Sequence, residues 1–92
     1  GPLLGISYFK NNNTILNKLS QCNYSLVTYI FTKDKSLQKK FQNFNYGSIG
    51  INTTKIQSPS RPTGGNNLSG IGREGGIWGF EEFLTTVNYV GG

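Results

Sequence analysis

The sequence contains no histidine and no methionine, and it has a single cysteine, Cys22. Without histidine, the commonest general base near neutral pH and the commonest metal-binding imidazole are both missing. One cysteine excludes a disulfide within the chain and is typical of a reducing compartment. We therefore expect neither a metal site nor a disulfide framework.

Acidic residues and long apolar runs are also scarce. No apolar stretch approaches the roughly 20 residues of a membrane-spanning helix, and no basic segment leads into an apolar one as in a signal peptide. Nine Lys and Arg against four Asp and Glu give a net charge of +5. These cations are spread along the chain, whereas a nucleic-acid interface gathers them on one face among stacking aromatics. We expect a soluble, cytoplasmic protein that binds neither membranes nor nucleic acid.

Glycine is the residue that is abundant, and seven of the thirteen glycines lie between Gly64 and Gly79. Glycine serves positions with positive φ or with a close approach of the backbone to another group. A flexible linker would lack the large apolar residues Ile71, Trp78 and Phe80 that interrupt this stretch. The sequence therefore predicts a shaped loop that lies against other parts of a protein.

Hydrophobic patterning predicts an α/β fold with a parallel sheet covered by helices, because strands and helices alternate. The predicted order is strand 3–9, helix, strand 26–32, helix, strand 48–53, a long irregular segment 54–73, helix 80–86 and strand 87–90. An irregular segment of this length is usually functional or disordered. A chain of 92 residues forms at most one domain and buries roughly 60–65% of its unfolded surface.

Two amphipathic helices are predicted between the strands. The first is capped by Asn13 or Thr14 and buries one apolar face, made of Ile15, Leu16, Leu19 and Cys22. Cys22 has no neighbouring cation to lower its pKa, so we interpret it as a small core residue. The second helix is capped by Asp34 and ended by Gly47. Its core side comprises Leu37, Phe41 and Phe44, and its solvent side comprises Lys35, Gln38, Lys39 and Gln42.

Gly70 to Gly75 match the spacing G-x-G-x-x-G. A dinucleotide-binding loop of this kind follows a strand, opens a helix and has an acidic residue about 20 positions later. Residues 64–69 show no strand pattern, and the last acidic residue, Glu82, comes only seven positions after Gly75. The sequence therefore argues against a dinucleotide-binding loop here.

The glycine-rich stretch has the spacing G-G-x-x-x-S-G-x-G-R-E-G-G-x-x-G-x-x-E-F. This pattern resembles the C-terminal signature of the NAD(P)-dependent aldehyde dehydrogenase superfamily. Gly1-Pro2-Leu3-Leu4 resembles the end of that family's E-x-F-G-P motif, residues 29–34 resemble its "AYVFTKD" strand, and residues 47–53 its G-x-V-x-I-N strand. The resemblance covers nearly all 92 residues in the family's order. Its nearest branch is that of muconic- and succinic-semialdehyde-type dehydrogenases.

The resemblance implies the C-terminal portion of an enzyme that oxidises an aldehyde to a carboxylic acid with NAD or NADP. It implies that residues 1–53 belong to the catalytic α/β sheet, 54–79 to the substrate tunnel and glycine-rich loop, and 80–92 to a C-terminal helix and oligomerisation strand. It also places the nucleophile, the general base and the cofactor domain upstream of this sequence. None of the three glutamates inherits the general-base role, and Glu81 and Glu82 are expected in the first turn of a helix. We therefore expect this chain alone to bind no cofactor and to be inactive.

The resemblance further implies a set of site residues. The substrate-binding residues would be Asn52, Gln57, Arg61 and Thr63. Thr63 replaces a phenylalanine that is usual in the family, and the cations Lys55 and Arg61 suggest an anionic aldehyde. The loop-structuring residues would be Gly64, Gly65, Ser69, Gly70, Gly72, Arg73, Glu74 and Gly75.

Residues 87–90 carry the expected partner contact. By resemblance, this strand pairs across a subunit boundary in a homodimer or homotetramer, or the chain packs against other parts of the parent enzyme. A different hypothesis is a stand-alone, non-catalytic structural or interaction module derived from the family.

Overall fold

The structure, a computed structural model, describes all residues from Gly1 to Gly92 and has a mixed α/β fold. It contains three helices and two two-stranded sheets. In chain order the elements are α1 (Asn12–Ser20), β1 (Tyr24–Ser25), β2 (Val27–Ile30), α2 (Lys35–Phe41), β3 (Ser48–Ile51), β4 (Asn66–Asn67) and α3 (Gly76–Glu81). No helix among them is long and apolar enough to cross a membrane.

β2, α2 and β3 form the predicted parallel unit. The two strands pair in parallel, with Val27 opposite Ser48 and Ile30 opposite Ile51. Asp34 caps α2 as expected, because its Oδ1 accepts from the N–H groups of Ser36 at 2.9 Å and Leu37 at 3.2 Å. This part of the predicted α/β fold is confirmed.

A second sheet was not predicted. β1 pairs antiparallel with β4, and Ser25 lies opposite Asn66. Two adjacent asparagines carry no strand signal, since asparagine is depleted in strands. The pairing joins residues about forty positions apart and brings the glycine-rich segment against the end of α1.

The predicted strands 3–9 and 87–90 are not formed within the single chain. Residues 3–9 and 87–90 have no strand structure and are exposed. Neither segment makes a backbone hydrogen bond to the rest of the chain. Apolar, β-branched residues favour a strand only when a neighbouring strand supplies the ladder, so pattern alone does not produce one. The observed order therefore starts with α1.

The last helix begins earlier than predicted. α3 runs from Gly76 to Glu81. Its first residue, Gly76, and the preceding Gly75 both have positive φ. Glu81 and Glu82 consequently lie at its carboxyl end and not in its first turn, where a negative charge would favour the helix dipole. The predicted role of their charges at a helix N-terminus is wrong.

The apolar core is very small. Only two large apolar side chains are buried, Ile30 at 9% and Phe41 at 4% exposure. Phe41 packs edge-to-face on Phe44, with ring centroids 5.3 Å apart. Gln38 is buried as well, at 9% exposure, although its position predicted a solvent-facing side chain. The reason is polar: its Nε2 donates to the Thr32 carbonyl oxygen at 2.8 Å.

Two further predictions about the helices are wrong in detail. α1 is capped by Asn11, whose side chain accepts from Thr14 N–H, and no α1 residue is fully buried. Gly47 does not stop α2, which ends at Phe41. A Cβ at Gly47 would overlap the Gly64 carbonyl oxygen and lie 2.9 Å from the Leu26 oxygen. Glycine stands there because three backbone segments converge.

Candidate functional site

A polar cleft opens between the irregular segment after β3 and the turn that leads into α3. Its volume is about 370 Å³. Apart from the Pro59 ring, its lining is formed by Gln57, Ser58, Arg61, Thr63, Glu74 and Gly75. Such a lining offers hydrogen-bonding groups and two ionisable side chains of opposite sign, Arg61 and Glu74, and it contains no large aliphatic or aromatic side chain.

Backbone hydrogen bonds set the shape of the cleft. Thr63 and Glu74 exchange two of them, with Thr63 N–H to Glu74 O at 2.6 Å and Glu74 N–H to Thr63 O at 2.7 Å. Gly76 N–H donates to Pro59 O at 2.8 Å, which ties the start of α3 to the opposite wall. The Thr63 and Glu74 backbones are thus fixed while their side chains are left to face the cleft.

Gly75 is the glycine that this geometry most clearly requires. Its φ is +80°, and a Cβ there would lie 2.5 Å from the Arg61 carbonyl oxygen. Any other residue would be strained and would also push the two walls apart.

Arg73 holds the glycine-rich loop together from within. Its Nη1 donates to the carbonyl oxygens of Gly65 and Gly72, both at 2.8 Å, and its Nη2 donates to Asn66 Oδ1. Asn66 Nδ2 in turn donates to Asn45 Oδ1 at 2.9 Å. A guanidinium offers five donors in one plane, which suits such simultaneous contacts with backbone oxygens.

The other expected loop residues surround this arginine. A Cβ at Gly64 would approach the Gly72 oxygen to 2.5 Å, and one at Gly65 would approach Ser69 Cβ to 2.6 Å. Gly70 and Gly72 both have positive φ. Glu74 takes part through its backbone, and it is an exposed residue of the cleft lining.

The structure brings three of the four expected substrate residues together. Gln57, Arg61 and Thr63 line the cleft, and Asn52 does not. Both amide atoms of Asn52 are bonded to the backbone of Thr32, at 2.8 and 3.0 Å. Its side chain is therefore engaged in the parallel sheet and is not directed at a ligand.

Cys22 is exposed, contrary to its predicted place in the core. α1 ends at Ser20, so Cys22 lies in the turn after the helix, where helical periodicity no longer applies. Its thiol donates to the Tyr24 carbonyl oxygen at 3.4 Å. Burial raises the pKa of the nearby Tyr46 phenol, and the proximity of Cys22 raises that pKa further. No residue of the polar cleft contacts this pair, so the thiol is remote from the cleft.

Comparison with known proteins identifies the chain. The sequence profile of the aldehyde dehydrogenase family matches residues 1–89. This chain belongs to the aldehyde dehydrogenase family.

Curated relatives include semialdehyde dehydrogenases. A non-phosphorylating aspartate-semialdehyde dehydrogenase of Halomonas elongata is 33% identical over 89 residues, which are 96% of this chain and 18% of that protein. An NADP+-dependent succinate-semialdehyde dehydrogenase of Escherichia coli is 33% identical over 85 residues, 91% of this chain and 18% of its own length. This aldehyde dehydrogenase chain thus spans less than a fifth of these relatives.

Solved structures agree with the assignment. A betaine aldehyde dehydrogenase from Staphylococcus aureus superimposes with a TM-score of 0.83 and 30% identity, covering 92% of this chain and 17% of that one. An oxidoreductase from Marinobacter aquaeolei gives a TM-score of 0.80 with 34% identity over 92% of this chain and 18% of its own. The shared backbone therefore includes the irregular segment and the glycine-rich loop.

The residues of this aldehyde dehydrogenase chain do not form a dinucleotide cradle. The G-x-G-x-x-G spacing at Gly70 to Gly75 follows the two-residue strand β4 and a turn, and its glycines support the contacts of Arg73. A cradle of that kind needs a strand running directly into the N-terminus of a substantial helix. No three His, Cys, Asp or Glu side chains are grouped so that they could hold a metal ion either.

Sequence analysis missed several residues that shape the site. Glu82 folds back from the end of α3 and accepts from Arg73 N–H at 2.9 Å. Asn67 Nδ2 donates to Ser25 Oγ at 3.1 Å, and Ser25 is almost completely buried. Only the unusual pair Asn66-Asn67 inside a glycine-rich loop hinted at such contacts, because asparagine side chains readily bond to local backbone and tolerate positive φ.

Proposed function

We propose that this chain forms part of the substrate-binding wall of an NAD(P)-dependent aldehyde dehydrogenase, an enzyme that oxidises an aldehyde to a carboxylic acid, and that these 92 residues alone are inactive. The polar cleft carries the proposal. It lies in the segment and glycine-rich loop that the chain shares with family structures, and it gathers Gln57, Arg61 and Thr63.

The inactivity follows from the chemistry that the side chains offer. Oxidation of an aldehyde through a covalent intermediate needs an activated nucleophile and a base beside the bound carbonyl. The only thiol, Cys22, is exposed and away from the cleft, and histidine is absent. Within the cleft the sole carboxylate residue, Glu74, has no thiol beside it. The cleft can bind and orient a polar aldehyde but cannot transform it.

Arg61 favours a carboxylate-bearing aldehyde as the substrate. A guanidinium pairs with a carboxylate through two parallel hydrogen bonds, and no large aliphatic or aromatic side chain lines the cleft. Thr63 adds a hydroxyl in place of a ring. Several relatives named as semialdehyde dehydrogenases act on substrates of this class.

The proposal also assigns residues 87–90 a role in assembly. The exposed apolar residues Val87, Tyr89 and Val90 suit a strand that pairs with another subunit in a homodimer or homotetramer, or with another part of the parent enzyme. The hypothesis of a non-catalytic interaction module makes use of the same exposed surface. The intact mass of the protein recovered from cells distinguishes the two, since the module predicts a mass of 10.1 kDa.

The activity test uses two proteins. The pure 92-residue chain should not reduce NAD+ or NADP+ with succinic semialdehyde or with acetaldehyde, and turnover by it would contradict the proposal. In the natural polypeptide that carries this sequence, Arg61→Gln should raise KM for succinic semialdehyde about tenfold or more and leave KM for acetaldehyde unchanged. Lys39→Gln, a charge removal on the exposed side of α2 and outside the cleft, serves as the matched control.

A further inference from the structure

Three side-chain hydrogen bonds converge on the backbone of Thr32, just beyond the end of β2. Thr32 N–H donates to Asn52 Oδ1 at 2.8 Å, and Asn52 Nδ2 donates back to the Thr32 carbonyl oxygen at 3.0 Å. Gln38 Nε2 donates to the same oxygen at 2.8 Å. Two side chains, Asn52 and Gln38, therefore satisfy both backbone polar groups of Thr32 at the carboxyl end of the parallel sheet.

The backbone of Asn52 turns away from the sheet after β3. Its side chain then makes the hydrogen bonds to the neighbouring strand that its backbone no longer makes. Its own N–H still donates to the Ile30 carbonyl oxygen at 2.8 Å. Its φ is +56°, in the left-handed region, so the chain leaves the sheet direction at this residue. Asparagine is one of the few residues other than glycine that accept this conformation at small cost. Its amide also carries a donor and an acceptor together, as a peptide group does.

The segment that follows leads directly into the polar cleft. Lys55 N–H donates to Thr53 Oγ1 at 3.0 Å, and Ile56 N–H donates to Thr54 O at 3.1 Å, which keeps the path short and curved. Gln57 and Arg61 then form the cleft wall. The segment has no strand or helix of its own, so its course depends on the point where it leaves the sheet and on the bonds of Pro59 and Thr63 to the turn before α3.

The geometry points to Asn52 as a positioning residue of the aldehyde cleft, which acts together with Gln38 through the backbone N–H and carbonyl oxygen of Thr32. This inference rests on the proposed function in taking the cleft as the aldehyde site. Asn52 holds the carboxyl ends of β2 and β3 together and thereby fixes where Gln57 and Arg61 stand. It does not contact the substrate, because both polar atoms of its amide are already bonded within the sheet.

The hydrogen-bond clamp is tested by amide exchange in the natural polypeptide that carries this sequence. Asn52→Gly keeps the backbone conformation and removes both amide bonds, so exchange at Thr32 N–H should accelerate on the order of tenfold or more. Asn52→Asp retains the acceptor for Thr32 N–H and should accelerate that exchange less. Asn88→Gly, an exposed asparagine with no such bonds, should leave it unchanged. Unaltered exchange in Asn52→Gly would overturn the clamp.

Kinetics test the positioning. With NAD+ or NADP+ as oxidant, Asn52→Gly should raise KM for succinic semialdehyde about tenfold while kcat changes by less than about threefold. KM for acetaldehyde, which has no group to reach Arg61, should stay constant. Gln38→Leu removes the third bond alone and should shift the same KM in the same direction by a smaller factor. It also provides the measurement if Asn52→Gly does not fold.

The possible results distinguish the positioning role of Asn52 from the proposed function of the cleft. Faster exchange at Thr32 with unchanged KM would show a structural bond only and overturn the positioning role. Loss of kcat with unchanged KM would place Asn52 in the chemistry and overturn it as well. A wild-type polypeptide without any aldehyde oxidation would instead overturn the proposed function, while the exchange measurement would still decide the clamp.

Discussion

Hydrogen bonds from amide and guanidinium side chains to backbone oxygens connect the segments of this chain. Arg73 binds two loop carbonyls, and Gln38 and Asn52 bind Thr32. A buried backbone oxygen without a donor costs about 1–3 kcal/mol. These side chains consequently define the loop geometry in a molecule where few apolar groups are buried.

The exposure of Cys22 predicts how fast its thiol reacts and how little its side chain contributes to stability. Because its side chain is exposed, a thiol reagent should label it at the rate of a free cysteine, and Cys22→Ala should change the free energy of unfolding by less than about 0.5 kcal/mol. Peptide mapping after timed labelling of the natural polypeptide measures the rate. Protection that disappears only on unfolding would mean that another part of the assembly covers this turn.

Tyr46 predicts a pH dependence. Burial, reinforced by Cys22, raises the pKa of its phenol above the ordinary value of 10.0. Since the folded state disfavours the phenolate, this contribution to stability is fully present below pH 10 and is lost as the pH rises through the raised pKa. Denaturant unfolding between pH 9 and 11.5 should therefore show falling stability that Tyr46→Phe reduces. Tyr24→Phe, at an exposed tyrosine, serves as the matched control.

At the scale of elements, close backbone contacts determine how the pieces meet. β1 and β4 join through two residue pairs, and Gly47 lies at the point where the chain entering β3 meets Leu26 and Gly64. Such a crossing excludes a side chain. The glycine-rich loop therefore depends on a glycine that lies outside it.

Gly47→Ala tests this crossing. The added methyl group would collide with the Gly64 carbonyl oxygen, and overpacking of this kind costs about 1–3 kcal/mol or more. We expect a lower midpoint in urea for the natural polypeptide. Gly5→Ala is the matched control, because no atom lies near its Cβ. Equal midpoints for both variants would disprove the close approach.

At the scale of the whole molecule, the chain is far from compact. Its radius of gyration is 17.3 Å, whereas a globular chain of this length has about 12 Å. Large apolar side chains are exposed at both ends, among them Leu3, Tyr8, Phe83 and Tyr89. Exposed apolar surface on this scale is typical of an interface, which agrees with the proposed packing against other protein.

The isolated chain is therefore expected to fold poorly. Burial of Ile30 and Phe41 cannot offset the conformational entropy of 92 residues. Thermal unfolding followed by circular dichroism should lack a sharp transition, and a hydrophobic dye should bind strongly. A cooperative transition in a monodisperse monomer would contradict this expectation.

The assembly strand gives the last prediction. Replacing Val87 and Tyr89 together by proline removes two ladder donors, so the natural polypeptide should form smaller species in light scattering. The double alanine variant keeps the backbone donors and should retain more of the assembly. If the proline variant keeps the wild-type size, residues 87–90 do not join subunits.

Local order along the chain was accessible from residue patterns because neighbours in sequence produce it. The Asp34 cap, the separate patterns of β2, α2 and β3, and the family motifs each depend on residues within a few positions of one another. Gln57, Arg61 and Thr63 were likewise named from motifs, and they line one cleft. Contacts between distant segments had no such signal: the β1–β4 pairing, the burial of Gln38 and the amide bonds of Asn52 arise only when separate backbones converge. In the terminal segments the sequence pattern is that of a strand, but no strand is present in the chain. A segment of this kind forms a strand only when a partner strand hydrogen-bonds to it.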